Sequence, residues 1–232
     1  MNTDRKRAAV AGLLFIIATT ASLIGKAALL DPILEGAGYL AGIAANQNRV
    51  SAGALLGLVA YFASASIAIA LYPVLRRYGE GLALGSVGLR LVEGVLYSLG
   101  AIAVLSLLSL VRGGPDPDAP APASLEAAGR LLMAVRSWAG MAGTLAFYPA
   151  ALLYYTVFYR SRLIPRWLSG WGIAAAAMGL AATILVVFHL IQPMSTPQIL
   201  LNFPIFLQEM VLAVWLIARG FLPPAAAPGE AV

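Results

Sequence analysis

Long apolar runs separated by short polar stretches make up most of the chain. A helix that crosses the hydrocarbon core of a bilayer needs about 20 predominantly apolar residues. Runs of that length predict six spanning helices, at roughly 8–30, 50–75, 82–111, 126–159, 166–191 and 198–220. The third and fourth helices are longer than a bilayer requires, so we expect them to tilt or to project beyond it.

The polar stretches between these runs predict the connections. Asp31, followed by Pro32, is typical of a helix cap, and the apolar segment after it is expected to lie at the membrane interface. The Pro-, Gly- and Asp-rich stretch 112–124 is expected to be a mobile outer loop. The domain organisation is therefore one six-helix transmembrane domain at 1–221 and a disordered tail at 222–232.

Composition strengthens the membrane assignment. Hydrophobic residues make up 61% of the 232 residues and charged residues 11%, with a mean hydropathy of +0.87. A soluble domain has about 45–50% apolar and about 25% charged residues, so the fold class is an all-α, polytopic membrane bundle. The chain has no Cys and one His, which excludes thiolate and multi-histidine metal sites, and we expect neither a metal nor a cofactor.

Basic residues are distributed unequally between the two sets of predicted loops. One set carries nine: Arg5, Lys6, Arg7, Arg76, Arg77, Arg160, Arg162, Arg166 and Arg219. The opposite set carries four, namely Lys26, Arg49, Arg112 and Arg130. The positive-inside rule then places both termini in the cytoplasm. Because the basic residues lie mostly in loops on one side of the membrane, we do not expect a nucleic-acid partner. The Ala-, Gly- and Arg-rich composition favours a protein of the bacterial inner membrane.

Four ionisable residues fall inside predicted helices at similar depth: Arg90, Glu93, Arg136 and Glu209. At about 1.5 Å per residue, the last three lie about 15–16 Å from one end of their helices, near the midplane of a core about 30 Å thick. Arg90 lies about one turn closer to the cytoplasm. The four charges sum to zero, as mutual pairing requires, and charges at this depth usually face a partner inside the bundle.

Three uncharged polar residues extend this group: Tyr97, Asn202 and Gln208. Tyr97 lies one turn beyond Glu93, and Asn202 shares a helix face with Glu209. Two interpretations stay open. The polar residues either hold the helices together, or they line a site for an ion, a proton or a small polar ligand, in which carboxylates carry protons and arginines hold an anionic group.

The most distinctive string is the cytoplasmic turn at residues 159–168, YRSRLIPRWL. Arg160, Arg162 and Arg166 suit anionic lipid phosphates, and Trp167 suits the headgroup region. A topology anchor in the lipid bilayer is one interpretation of this turn, and a docking surface for a partner protein is the other.

No motif of a known enzyme class is present in the sequence, so we predict no catalytic residue and favour a protein that is not an enzyme. The leading hypothesis is a small transporter or ligand-binding membrane protein with a charged midplane site. The alternative is an accessory or scaffold subunit of a larger membrane complex. An enzyme acting on lipid is a third reading, and the oligomeric state is open, with a homo-oligomer among the outcomes.

Several short strings resemble a bacterial membrane-protein family, the domain of unknown function 4386. These strings are RAAVAGLLF at 7–15, ALYPVLRR at 70–77, VGLRLVEG at 87–94, YRSRLIPRWL at 159–168 and EMVLAVWLIARGF at 209–221. The resemblance covers roughly residues 5–221 and implies a six-helix membrane fold without a named activity. Arg90, Glu93 and Glu209 lie within the matching strings, and Arg136 lies outside them.

Overall fold

A computed structural model describes residues 3–36, 38–112 and 123–223 of the chain. Helices account for most of these residues, and the described ranges contain no strand. In chain order the helices are α1 (Thr3–Ser22), a π-helix (Leu23–Leu30), α2 (Asp31–Leu34), α3 (Tyr39–Ala45), α4 (Gln47–Arg112), α5 (Ala123–Ser161), α6 (Arg166–Val187) and α7 (Thr196–Ala218). Residues 113–122 of the predicted outer loop and residues 224–232 of the predicted tail lie outside the described residues. The ends of the predicted loop are helical, because α4 ends at Arg112 and α5 begins at Ala123.

Within the part of the chain that the structure describes, five helical segments are long and apolar enough to cross a membrane. They are Thr3–Leu34, Gln47–Arg112, Ala123–Ser161, Arg166–Val187 and Thr196–Ala218. The first segment joins α1, the π-helix and α2 into one continuous run. The prediction of an all-α membrane protein is therefore confirmed, whereas the orientation of its termini stays a prediction.

The α4 helix contains both the second and the third predicted spans. Its backbone leaves the helical region at Gly79, where φ is 175° and ψ is 83°. This break separates two limbs, residues 47–78 and 80–112, each about 48 Å long at about 1.5 Å per residue. Either limb exceeds the hydrocarbon thickness of about 30 Å, so counting the limbs separately raises the number of spans from five to the predicted six.

The α6 helix ends earlier than the sequence pattern predicts. We expected it to continue to residue 191, but it ends at Val187. His189 and Met194 then adopt positive φ angles of 57° and 58°, a left-handed conformation that turns the chain before α7. The apolar run continues beyond Val187, so hydrophobicity alone predicts a longer helix. An apolar run does not mark the residue at which a helix ends.

The chain divides into two compact units. Unit 1 comprises Met1–Ile16, Ala65–Leu91 and Thr144–Val232, and unit 2 comprises Ile17–Ser64 and Val92–Gly143. Each unit gathers segments that are distant in sequence. The assignment of a single domain to residues 1–221 stays a prediction.

In unit 1, α6 packs against α7, and glycines on α6 admit two large aromatic rings from α5. A Cβ atom at Gly172 would lie 2.6 Å from the ring of Tyr155, and one at Gly179 would overlap the ring of Tyr148. Both tyrosines are buried. The small residues that the sequence places on α6 therefore create room for the tyrosines of α5, a close-packing arrangement common between membrane helices.

The first residues of the chain are tied to the last helix within unit 1. The guanidinium of Arg5 donates hydrogen bonds to the carbonyl oxygens of Leu216, Ile217 and Ala218 at 2.9, 2.6 and 3.0 Å. These carbonyls belong to the last turn of α7, where the helix has no further N–H groups to satisfy them. A cation at this end also interacts favourably with the helix dipole, so Arg5 caps α7.

Unit 2 has its own apolar core, formed by Leu30, Ile33, Leu34, Ile43, Val50, Ala54, Val104, Leu107 and Leu108. The π-helix approaches α4 closely beside this core. A Cβ atom at Gly25 would lie 2.9 Å from the carbonyl oxygen of Gly53, and one at Gly53 would lie 2.7 Å from the side chain of Leu30. The two glycines therefore permit a backbone contact that larger residues would prevent.

The cap at the end of α7 predicts the effect of replacing Arg5. We expect Arg5→Gln to lower the free energy of unfolding by about 1–2 kcal/mol, because three carbonyl oxygens lose a charged donor at the negative end of a helix. Unfolding titrations in mixed detergent micelles measure this change. The matched control is Lys6→Gln, which removes the same charge from an exposed neighbour; equal losses for the two variants would contradict the capping role.

Candidate functional site

Arg90, on the second limb of α4, is the largest of the deeply buried side chains, with 1% of its surface exposed. Its guanidinium carbon lies 4.5 Å from the ring centroid of Phe147 and 5.5 Å from that of Tyr154. Both rings come from α5 and belong to unit 1 together with Arg90. Aromatic faces attract a cation electrostatically, so they stabilise the guanidinium where water does not reach it.

A polar triangle forms beside these rings. Arg90 Nη2 donates to the hydroxyl of Tyr154 at 3.1 Å and lies 3.5 Å from Oε1 of Glu209. The Tyr154 hydroxyl donates to the same oxygen of Glu209 at 3.4 Å. The Arg90–Glu209 separation is longer than the about 2.7–2.9 Å of a tight charge-assisted hydrogen bond. The side chain of Glu209 is 14% exposed, whereas that of Arg90 is 1% exposed.

The neighbours of Glu209 on α7 hold that helix in register. The hydroxyl of Tyr155 donates to Oε1 of Gln208, and Nε2 of Gln208 donates to the carbonyl oxygen of Leu168 at 3.1 Å. About two turns before Glu209 on α7, Asn202 accepts a hydrogen bond from the hydroxyl of Tyr148. The two amides therefore connect α7 to both α5 and α6, and they fix the rotation of α7 that points Glu209 at Arg90.

Glu93 occupies the other unit. It is buried in unit 2 with 2% exposure, and one of its carboxylate oxygens accepts a hydrogen bond of 2.9 Å from the hydroxyl of Ser64. One turn further along α4, the ring of Tyr97 stacks on that of Tyr61 with centroids 5.1 Å apart. A Cβ atom at Gly143 would come within 2.8 Å of Tyr97, so this glycine makes room for the stacked pair.

Arg136 has an acidic neighbour that sequence reasoning missed. Its Nη2 lies 3.0 Å from Oδ1 of Asp31, and both side chains are mostly buried in unit 2. The prediction that Asp31 caps a helix was wrong, because the helical conformation already includes Leu30 and no side-chain cap bond forms. The sequence does contain a signal for this pairing, because Asp31 directly follows an apolar run. At such a position an aspartate can continue the existing helix instead of starting a new one.

The predicted polar residues thus fall into two groups. Unit 1 brings together Arg90, Glu209, Gln208 and Asn202 with three tyrosines of α5. Unit 2 contains Glu93, Tyr97 and Arg136. A single neutral quartet remains a prediction, whereas the Arg90–Glu209 and Arg136–Asp31 ion pairs are observed.

The basic turn, residues 159–168, exposes the side chains that the sequence pattern singled out: Arg160, Arg162, Arg166 and Trp167. The guanidinium of Arg166 lies 5.3 Å from the ring centroid of Tyr159. Trp167 stacks loosely on Trp171 with ring centroids 6.5 Å apart. The turn therefore presents cations next to amphipathic rings, an arrangement suited to the membrane interface.

Comparison with known proteins gives one match. The family model described as "Domain of unknown function (DUF4386)" matches residues 10–220, nearly the whole stretch over which the sequence resembles that family. No curated protein and no solved structure matches the chain.

The Asp31–Arg136 ion pair can be tested by a double-mutant cycle with Asp31→Asn and Arg136→Gln. Because both side chains are mostly removed from water, we expect a coupling free energy of about 1–2 kcal/mol. The exposed Arg130–Glu126 pair on α5, at 3.5 Å, serves as the control, with an expected coupling below about 0.5 kcal/mol. Equal coupling in the two cycles, measured by unfolding in detergent, would show that burial of the first pair has no energetic effect.

Proposed function

The chain belongs to the family of the domain of unknown function (DUF4386), and we propose that it is a small membrane transporter in which proton binding to Glu209 controls anion binding at Arg90. The observation that carries this proposal is the polar triangle of Arg90, Tyr154 and Glu209 inside unit 1. An ionisable group within a membrane is costly, and function is a common reason for keeping it.

The geometry of the triangle favours an ion pair between Arg90 and Glu209 that can be broken. Arg90 and Glu209 lie 3.5 Å apart, whereas Arg90 is held firmly by aromatic rings and by the Tyr154 hydroxyl. Protonation of Glu209 removes a negative charge from the neighbourhood of the guanidinium and leaves the site more positive. An incoming carboxylate or another small anion then takes over part of the interaction, and arginine suits such planar groups.

Tyr154 connects the two charged residues in this proposal. Its hydroxyl accepts a hydrogen bond from Arg90 and donates one to Glu209. It therefore holds both side chains in place when the ion pair between them breaks. Exposure supports the assignment of roles. Glu209 is the more exposed of the two charged groups, so we assign proton binding to its carboxylate, and the buried guanidinium of Arg90 is the fixed positive charge.

We also propose that both termini lie in the cytoplasm of a bacterium and that the protein resides in the inner membrane. Contacts within unit 1 bring several of its basic segments together at one end of the unit. Asp4 forms ion pairs with Arg7 and Arg77 at 3.1 and 2.7 Å, and the N–H of Leu222 donates to the carbonyl oxygen of Leu163 in the basic turn. Basic residues clustered at one end are typical of the cytoplasmic side.

Transport can be tested in liposomes that contain the purified protein and the pH dye pyranine. With an imposed pH gradient, we expect the wild type to take up lactate, succinate or phosphate together with protons. Glu209→Gln imitates the protonated carboxyl group, so we expect it to abolish proton-driven uptake while anion exchange at equal pH continues. Glu126→Gln, on the exposed surface of α5, is the matched control.

Two results would contradict this proposal. One is a folded Glu209→Gln variant with unchanged proton-driven uptake, and the other is a wild type that moves none of the three anions. A stoichiometric protein partner after purification from native membranes, together with the second result, would favour the accessory-subunit alternative instead.

Orientation can be tested directly because the chain contains no Cys. We expect a membrane-impermeant maleimide to label Asn48→Cys in intact spheroplasts and to label Thr3→Cys only after lysis. Both positions are exposed, and neither substitution changes the basic residues that set the orientation. Labelling of Thr3→Cys in intact cells would contradict the cytoplasmic assignment of the N-terminus.

A further inference from the structure

An apolar groove runs along the C-terminal half of α7 in unit 1. Six residues line it: Met210, Val211, Val214, Trp215, Ala218 and Arg219. The groove has a volume of about 430 Å³ and is largely open along one side. Its lining is mostly apolar, and Arg219, at the end of the helix, is the charged residue among the described residues that line it.

The charged end of the groove lies among other basic residues. Arg219 follows the last turn of α7, which is capped by Arg5. Three residues beyond Arg219, the N–H of Leu222 donates to the carbonyl oxygen of Leu163 at 2.8 Å. Phe221 contacts Phe158 with ring centroids 6.2 Å apart. These contacts bring the end of α7 against the basic turn.

The exposed charges of the basic turn and of Arg219 are all positive. The basic turn exposes three arginines and contains no acidic residue in its sequence, and Arg219 is also exposed. Such a cluster attracts a negative group, and the field of neighbouring cations strengthens the attraction near a membrane surface. An occupant that fits both parts of the groove needs a long apolar chain and an anionic head at one end.

We propose that this groove binds a single anionic glycerophospholipid, with one acyl chain along Val211, Val214 and Ala218 and its phosphate against Arg219. The apolar walls match the hydrocarbon chain, and the guanidinium matches the phosphate oxygens by charge and by hydrogen-bond geometry. The basic turn adds a positive field beside the headgroup. This site is separate in its residues from the Arg90–Glu209 triangle and does not depend on transport.

Native mass spectrometry of the full chain tests the proposal. The protein is exchanged into detergent containing palmitoyl-oleoyl phosphatidylglycerol or phosphatidylcholine, which differ in headgroup charge but carry the same acyl chains. We expect one retained phosphatidylglycerol per protein and about fivefold weaker retention for phosphatidylcholine, as expected from losing an interaction of one arginine with an anionic headgroup.

Two variants test the two parts of the site separately. Arg219→Gln removes the phosphate contact, and we expect it to lower phosphatidylglycerol retention about fivefold. Val214→Trp fills the groove from a side chain that is 61% exposed, so we expect it to lower retention of both lipids without disturbing the fold. The matched controls are Arg130→Gln and Leu131→Trp, at exposed positions on α5 outside the groove.

The outcomes separate the proposal from its alternatives. Equal retention of the two lipids by the wild type, or unchanged phosphatidylglycerol retention in Arg219→Gln, would overturn the proposal. Loss in Arg219→Gln with full retention in Val214→Trp would also overturn it, because the lipid would then bind by its headgroup alone. Equal losses in the controls would show that surface changes anywhere reduce retention, which likewise contradicts a defined site.

Discussion

A guanidinium that is removed from water requires other groups to replace its hydration, and in a membrane protein those groups must come from the chain itself. Arg90 meets this requirement with aromatic faces, a tyrosine hydroxyl and a carboxylate. The surrounding packing follows from this need. The tyrosines of α5 reach their positions because glycines on α6 leave space, and the amides of α7 orient the helix that carries Glu209.

The hydrophobic pattern predicted the fold class and most helices, because the length of a membrane span is dictated by the thickness of the bilayer. It also identified Arg90 and Glu209, since charges are conspicuous within apolar runs. Their observed pairing shows that depth along a helix can identify charged residues that meet, even when the helix boundaries are known only approximately. The break at Gly79 was likewise expected as the polar interval between two runs, although its backbone angles could not be inferred from composition.

The parts that escaped prediction depend on helix rotation and on backbone geometry. Asp31 was assigned to a cap because Pro follows it, but the π-helix before it keeps the backbone helical and lets its side chain reach Arg136. Arg5 was interpreted only as a loop charge, since nothing in the sequence indicates that residues more than two hundred positions apart will meet. Partners of this kind are determined by tertiary packing and not by local residue preferences.

The cap that Arg5 places on α7 also bears on how the chain is made. Arg5 is synthesised 211 residues before Leu216, whose carbonyl oxygen it contacts. The contact therefore cannot form until α7 has been synthesised, and until then α1 must be held by other helices or by lipid. Contacts of such long sequence separation are formed late because their loop-closure entropy is large. A chain that stops before α7 therefore lacks the carbonyl oxygens that Arg5 engages.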